Sequence, residues 1–160
     1  MHSIVVLRSP TGNWHDGHVY TSTSVSPRKM LFCKYIEGNN YPVVVGGCGT
    51  IMFFRNQGRT LERVRGVFGK QKKIQAMLCC VEGEPIESAE GAGQCSVITG
   101  AASGHMYIWV AQKVAYTVTA HEAPIFAITK LSRGYATAGK DGAIKLWSNK
   151  LQVVHNYNIG

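Results

Sequence analysis

Residues 120–148, A-H-E-A-P-I-F-A-I-T-K-L-S-R-G-Y-A-T-A-G-K-D-G-A-I-K-L-W-S, limit what this chain can fold into more than any other stretch. The apolar run Ile125 to Ile128 is too short for a helix and suits a strand. A second short strand is expected around Tyr135 to Ala138. Lys140-Asp141-Gly142 then supplies a tight turn, and a third strand ends at Trp147. Gln152 to Tyr157 reads as a fourth. Four short strands joined by tight turns form a small antiparallel sheet, and one such sheet cannot bury its own apolar faces.

The same layout recurs upstream in weaker form. Val97 to Trp109 repeats the strand–turn–strand half, with Thr99 and Trp109 retained and Ser103 where the turn would carry Asp. Pro42 to Phe54 repeats it again, with Phe54 in the Trp place and no acidic turn residue. The 38-residue step from Trp109 to Trp147 is close to the roughly 40–45 residues of a WD repeat, which the segment resembles. That resemblance implies a hydrogen-bonded tetrad of His121, Thr137, Asp141 and Trp147, and a degenerate one of Thr99, Ser103 and Trp109. Buried groups of these kinds stabilise a fold only when each finds a partner.

Apolar runs suited to innermost strands, buried on both faces, precede the copies at Met30 to Ile36, Ala76 to Val81 and Ile125 to Ile128. Outer strands are expected at Thr60 to Val67 and Val114 to Thr119. Ser3 to Leu7 reads as the third strand of a blade whose first two are missing. The expected fold is all-β, a partial WD-repeat β-propeller of about three and a half four-stranded blades. Residues 1–27 would be the end of a truncated blade with its connecting loop, and 28–67 the first whole blade. Residues 68–119 form the next, with a flexible acidic insertion at 82–93, and 120–160 hold the complete tetrad. The insertion carries four acidic side chains and no aromatics, too little apolar surface to order itself.

Several segments are similar to the echinoderm microtubule-associated protein-like family. They are Gly66-Val67-Phe68-Gly69-Lys70-Gln71-Lys72-Lys73 followed by Met77-Leu78-Cys79; Val97-Ile98-Thr99-Gly100 with Ile108-Trp109; and Ala120-His121-Glu122 with Ile125-Phe126-Ala127. They occur in the family's order and span nearly the whole chain. Residues 82–93 are longer than the family's usual turn, and the hydrophobic motif that marks its first propeller is not found. The resemblance implies a propeller that binds tubulin, in the cytoplasm and on the microtubule cytoskeleton. The family's tubulin-binding residues do not transfer one by one.

Propellers close with roughly four to eight blades, so this length yields an open run with a bare strand edge. A fragment of a larger protein, or half of an assembled ring, is therefore expected. A closed four-blade ring would need the half blade completed by another segment. No apolar run reaches the roughly 18 residues of a membrane span, and the start lacks a basic-then-apolar signal pattern. No membrane is expected among the partners. Cys33, Cys48, Cys79, Cys80 and Cys95 lack paired metal spacing and read as free thiols, mostly buried. No metal or other cofactor is expected.

Seventeen Lys and Arg against nine Asp and Glu give a net charge of +8. Arg55, Arg59, Arg63, Arg65, Lys70, Lys72 and Lys73 are opposed within their stretch only by Glu62. On an outer strand and its loop they would form a positive rim that attracts an acidic polymer. Tubulin's acidic surface, RNA and anionic lipid fit equally on charge alone, while a solvated edge that deters strand pairing needs no partner. Nucleic acid is disfavoured because no aromatics interleave with the charges.

No catalytic set survives inspection. Gly134 to Lys140 has a phosphate-loop skeleton, but Asp141 replaces the magnesium-holding hydroxyl and a strand follows where a helix is required. His15 and His18 lie in a Gly-rich loop without a third ligand nearby. His121, Thr137 and Asp141 mimic a hydrolase triad, yet in a WD blade the hydroxyl accepts the indole proton. The carboxylates of 82–90 cannot be held at a catalytic separation on a flexible loop. The expected function is a non-catalytic interaction scaffold within a tubulin-binding protein. The alternative is a WD-repeat adaptor that docks a non-tubulin protein or peptide.

Overall fold

The computed structural model describes residues 2–13, 18–26, 28–58, 60–70, 75–85 and 93–160. All regular structure among them is strand, arranged in four antiparallel sheets taken in chain order. The first is a hairpin of β1 (His2–Arg8) and β2 (His18–Ser26). The second, Met30 to Arg65, holds β3 (Met30–Tyr35), β4 (Val43–Gly47), β5 (Thr50–Gln57) and β6 (Thr60–Arg65). The third, Met77 to Thr119, holds β7 (Met77–Pro85), β8 (Cys95–Ala101), β9 (His105–Val110) and β10 (Lys113–Thr119). The last, Ile125 to Asn158, holds β11 (Ile125–Leu131), β12 (Gly134–Gly139), β13 (Ala143–Trp147) and β14 (Val153–Asn158). Each four-stranded sheet is a simple meander in which every strand pairs with its sequence neighbour. Among the described residues no helix is long and apolar enough to cross a membrane.

Three apolar layers hold neighbouring sheets together. Ile4 packs on Val45, Met52 and Phe54 between the hairpin and the Met30–Arg65 sheet. Ile36, Val44, Ile51 and Phe53 meet Met77, Val97, Tyr107 and Trp109 in the next layer. Val81, Ile98, Met106 and Ile108 meet Ile125, Tyr135 and Trp147 in the third. Strand alternation makes this possible, because each central strand offers one set of side chains forward and the other back. The central strands β4, β5, β8 and β9 carry runs of buried residues on both faces.

The segment after β6 fastens two sheets. Val67 bridges to Lys113, its N–H donating to the Gln112 carbonyl at 2.7 Å while its own carbonyl accepts from Val114 N–H at 3.0 Å. Phe68 then lies edge-on to Trp109 at 4.9 Å and to Tyr107 at 6.0 Å. A Cβ on Gly66 would sit 2.4 Å from Ile51 and 2.9 Å from Trp109, so only glycine lets the backbone pass.

Four expectations need correction. The innermost strands β3 and β11 are not buried on both faces: most of their residues are exposed, whereas β7, likewise paired with one neighbour, is better covered because β3 and β11 both pack against it. Glu82 to Pro85, expected within a flexible insertion, continue β7, with Glu82 opposite Val97 and Pro85 opposite Cys95. Glu82 and Glu84 find a partner that composition does not reveal, since Lys130 of the next sheet lies 3.3 and 3.5 Å from them. The rest of that insertion, 86–92, lies outside the described residues. His18 begins β2 rather than lying in a loop, and His15 is outside the described residues. Cys33 and Cys48 are exposed; the other three thiols are partly covered. Burial pushes the Cys79 thiol up to about 11 and raises Cys80 as well.

Candidate functional site

The Lys140-Asp141-Gly142 turn and the 120–124 segment meet at one end of the last sheet. Gly104, at φ +80° in the preceding sheet's turn, offers its carbonyl to the N–H groups of Ala120 and His121, both at 3.0 Å. A Cβ on Gly104 would come within 2.0 Å of the His121 carbonyl oxygen, so this contact needs glycine. The Lys140 N–H donates to the Pro124 carbonyl at 2.8 Å, closing the other side.

This frame brings all four predicted tetrad residues together. His121 Nδ1 lies 3.0 Å from each Asp141 carboxylate oxygen, and Nε2 lies 2.7 Å from Thr137 Oγ1. The Trp147 indole N–H donates to Thr137 Oγ1 at 2.9 Å. An indole can only donate, so the Thr137 hydroxyl accepts from it and has His121 Nε2 as its second partner. A carboxylate only accepts, so the proton on Nδ1 is donated to Asp141. Asp141 also accepts from the N–H of Ala143 at 3.1 Å and of Glu122 at 3.3 Å. Partial burial opposes its charge, but the bonds from Ala143, His121 and Glu122 outweigh it and hold the carboxyl below its ordinary range. Lys145, on the Thr137 face, donates to the Ala120 carbonyl at 2.5 Å. Sequence reading missed it; its position opposite Thr137 was the available signal.

The degenerate set is only partly assembled. Trp109 donates to Thr99 Oγ1 at 2.9 Å, and Thr99 donates to the Met77 sulfur at 3.3 Å, where His121 serves in the last sheet. Ser103 stands apart, its hydroxyl 3.1 Å from His105 Nδ1. In the Met30–Arg65 sheet the corresponding place is apolar throughout, with Val45, Met52 and Phe54 in contact with Ile4.

The basic rim divides. Arg55 is ion-paired with Glu62 and lies over the Tyr41 ring at 5.4 Å. Arg63 and Arg65 face the other way, opposite Phe54 and Met52, and both are exposed. Lys70 is exposed in the turn that follows. Arg59, Lys72 and Lys73 lie outside the described residues. Among the described residues no group of three or more His, Cys, Asp or Glu side chains could hold a metal ion.

Meandering four-stranded sheets packed face to face, one carrying a His–Thr–Asp–Trp network, define a partial WD-repeat β-propeller. Saccharomyces cerevisiae Sqt1, a WD-repeat protein, superposes over 99% of this chain and 46% of its own, with a TM-score of 0.71 at 12% identity. The computationally designed Ika8 protein matches 89% of this chain and 41% of its own, with a TM-score of 0.60 at 15% identity. No family model matches the chain. Its relatives in sequence are echinoderm microtubule-associated proteins and their like, as the segment order implies. The 77 kDa echinoderm microtubule-associated protein of Lytechinus variegatus is 29% identical over 148 residues, which is 88% of this chain and 20% of that protein. Echinoderm microtubule-associated protein-like 1 of Mus musculus is 30% identical over 152 residues, 92% of this chain and 18% of that protein. The chain thus spans about a fifth of the length of these relatives.

Proposed function

We propose that this chain is a non-catalytic interaction segment of a microtubule-associated WD-repeat protein of the cytoplasm and cytoskeleton. The observation that carries this reading is similarity to echinoderm microtubule-associated proteins along about nine-tenths of the chain. The tetrad contributes stability: Thr137 is 1% and His121 2% exposed, and the hydroxyl is already committed to two partners. A nucleophile needs a free approach to substrate, and this one has none.

The basic residues Arg55, Arg59, Arg63, Arg65, Lys70, Lys72 and Lys73 are proposed as the tubulin-facing rim. Exposure of Arg63, Arg65 and Lys70 beside a net charge of +8 supports that assignment. Arg55, neutralised by Glu62, contributes least. The test is cosedimentation with microtubules after reversing Arg59, Arg63, Lys72 and Lys73 to Glu. Binding is expected to fall, and the parent's binding to weaken as salt shortens the Debye length from about 10 Å at 0.1 M to about 3 Å at 1 M. Undiminished binding by the quadruple variant at low salt would leave the rim as a solvated edge.

A further inference from the structure

We propose that β14 is a self-association edge, pairing antiparallel with β14 of a second copy of this chain across a two-fold axis. The outer strands of the three four-stranded sheets are β6, β10 and β14, and each is bonded to one neighbour only. An unpaired strand edge offers its N–H and C=O groups to any other strand, and proteins blunt such edges with charge or by covering them. β6 carries Glu62, Arg63 and Arg65. β10 carries Lys113, and Val67 caps its outer edge through two main-chain bonds. β14 has neither device. Its sequence V-V-H-N-Y-N holds no Lys, Arg, Asp, Glu, Pro or Gly, and all six residues are exposed. Among the described residues no backbone hydrogen bond reaches this strand from outside its own sheet. Its one register shift lies at Val154 and leaves His155 to Asn158 regularly paired with β13.

Symmetry selects the partner. A strand without charge or pocket has nothing to choose a foreign sequence by, whereas two copies related by a two-fold axis present the same surface to each other. An axis perpendicular to the sheet brings like faces together and so passes through a residue. Placed at Asn156, it sets His155 of each copy opposite Tyr157 of the other. These two rings already lie 5.9 Å apart within one strand, on the face that Leu146 and Ile144 continue. Pairing would therefore join four rings in one cluster, and aromatic cross-strand pairs strengthen a ladder. The net charge of +8 does not oppose the approach locally, because no Lys, Arg, Asp or Glu occurs from Leu151 to Gly160. This edge is separate from the basic rim, which belongs to β5, β6 and the segment after them.

The test is sedimentation velocity of the full chain over a concentration series. A reversible monomer–dimer equilibrium is expected. His155→Lys and His155→Glu should each weaken it roughly tenfold, since each removes two aromatic pairs and sets like charges on the diagonal between the strands. Mixing the two variants should give a heterodimer tighter than either homodimer, because the diagonal then holds opposite charges. Thr117→Lys, on the outer strand β10, should change nothing. Ala127→Lys, exposed on β11 at the opposite edge of the last sheet, should change nothing either. Melting temperatures confirm that the variants are folded. A chain that stays monomeric throughout, or association unmoved by both His155 variants, overturns the proposal. Association lost in Ala127→Lys places the contact on the open face of the sheet and overturns it as well.

Discussion

The Met30–Arg65 sheet and the Ile125–Asn158 sheet solve one problem with different chemistry. Both are four-stranded meanders that must fix the third strand against the second and present a face to the preceding sheet. The first does so with Val45, Met52 and Phe54, which need only volume and contact. The last uses Trp147, Thr137, His121 and Asp141 in a directional chain. The middle sheet keeps the Trp109–Thr99 bond and ends the chain at a methionine sulfur. Apolar packing tolerates a neighbour of approximate shape, whereas a polar chain fails as a unit when one partner is lost. Neighbouring sheets should therefore differ in how they respond to single changes.

The largest difference is expected at Asp141. Asp141→Ala leaves the His121 Nδ1–H and the Ala143 and Glu122 N–H groups without their acceptor. Losing one partner of a largely buried charged network costs on the order of 3–5 kcal/mol. Ser103→Ala, at the matching turn of the middle sheet, removes only a contact with His105 and should cost under about 1 kcal/mol. Denaturant unfolding of the two variants measures both, and equal losses would show that the turn acid does no more than the serine. Next in size is Thr137→Val against Thr99→Val. The first orphans the Trp147 N–H and His121 Nε2, the second one indole and a weakly accepting sulfur. Each stranded buried group costs about 1–3 kcal/mol, so Thr137→Val should be the worse by a comparable amount.

How far the sequence foretold the molecule follows the same divide. The tetrad was legible because residues 120–148 resemble a WD repeat, and that resemblance implies His121, Thr137, Asp141 and Trp147 as partners; the strands ending near Trp109 and Trp147 came with it. The His18–Ser26 strand left little sign, since a run of Ser and Thr lacks an apolar face to read. Glu82 and Glu84 were misread because their partners, Lys130 and the Tyr135 hydroxyl, come from another sheet, 46 to 51 residues away in sequence. The Phe68 clasp was present only as a motif with no assigned role. The rim was read as one patch because composition counts charges, whereas strand alternation sends Arg55 and Arg63 to opposite faces.

A smaller effect, confined to acid, is expected from the Asp141 carboxyl. Its pKa is lower in the folded chain than in the unfolded one, where about 3.9 is ordinary. The unfolded state therefore binds the proton first as pH falls. The stabilisation is fully present above the unfolded pKa and disappears as pH drops through the folded one. Parent and Asp141→Asn should thus differ by a constant amount above about pH 4 and converge toward pH 2. A stability difference that stays flat down to pH 2 would show that the carboxylate's charge plays no part in holding the turn.

The finest test converts one chemistry into the other. Val45 stands opposite Met52 in the register that Thr99 holds opposite Tyr107 and Thr137 opposite Lys145. Val45→Thr alone buries a hydroxyl among the apolar Ile4, Met52 and Phe54, and should cost about 1–3 kcal/mol. Phe54→Trp alone buries an indole N–H with nothing to receive it, and overpacks a full site. Together they restore the Trp–Thr bond found at 2.9 Å in both other sheets. The double variant should then be more stable than the two single losses add up to, by the roughly 0.5–1.5 kcal/mol net worth of one hydrogen bond. A double-mutant cycle isolates that coupling from the overpacking, which appears in the Trp single as well as in the double. Strict additivity would mean that the apolar sheet holds its third strand at a distance the bond cannot span. The difference between the sheets would then lie in backbone spacing and not in side-chain choice.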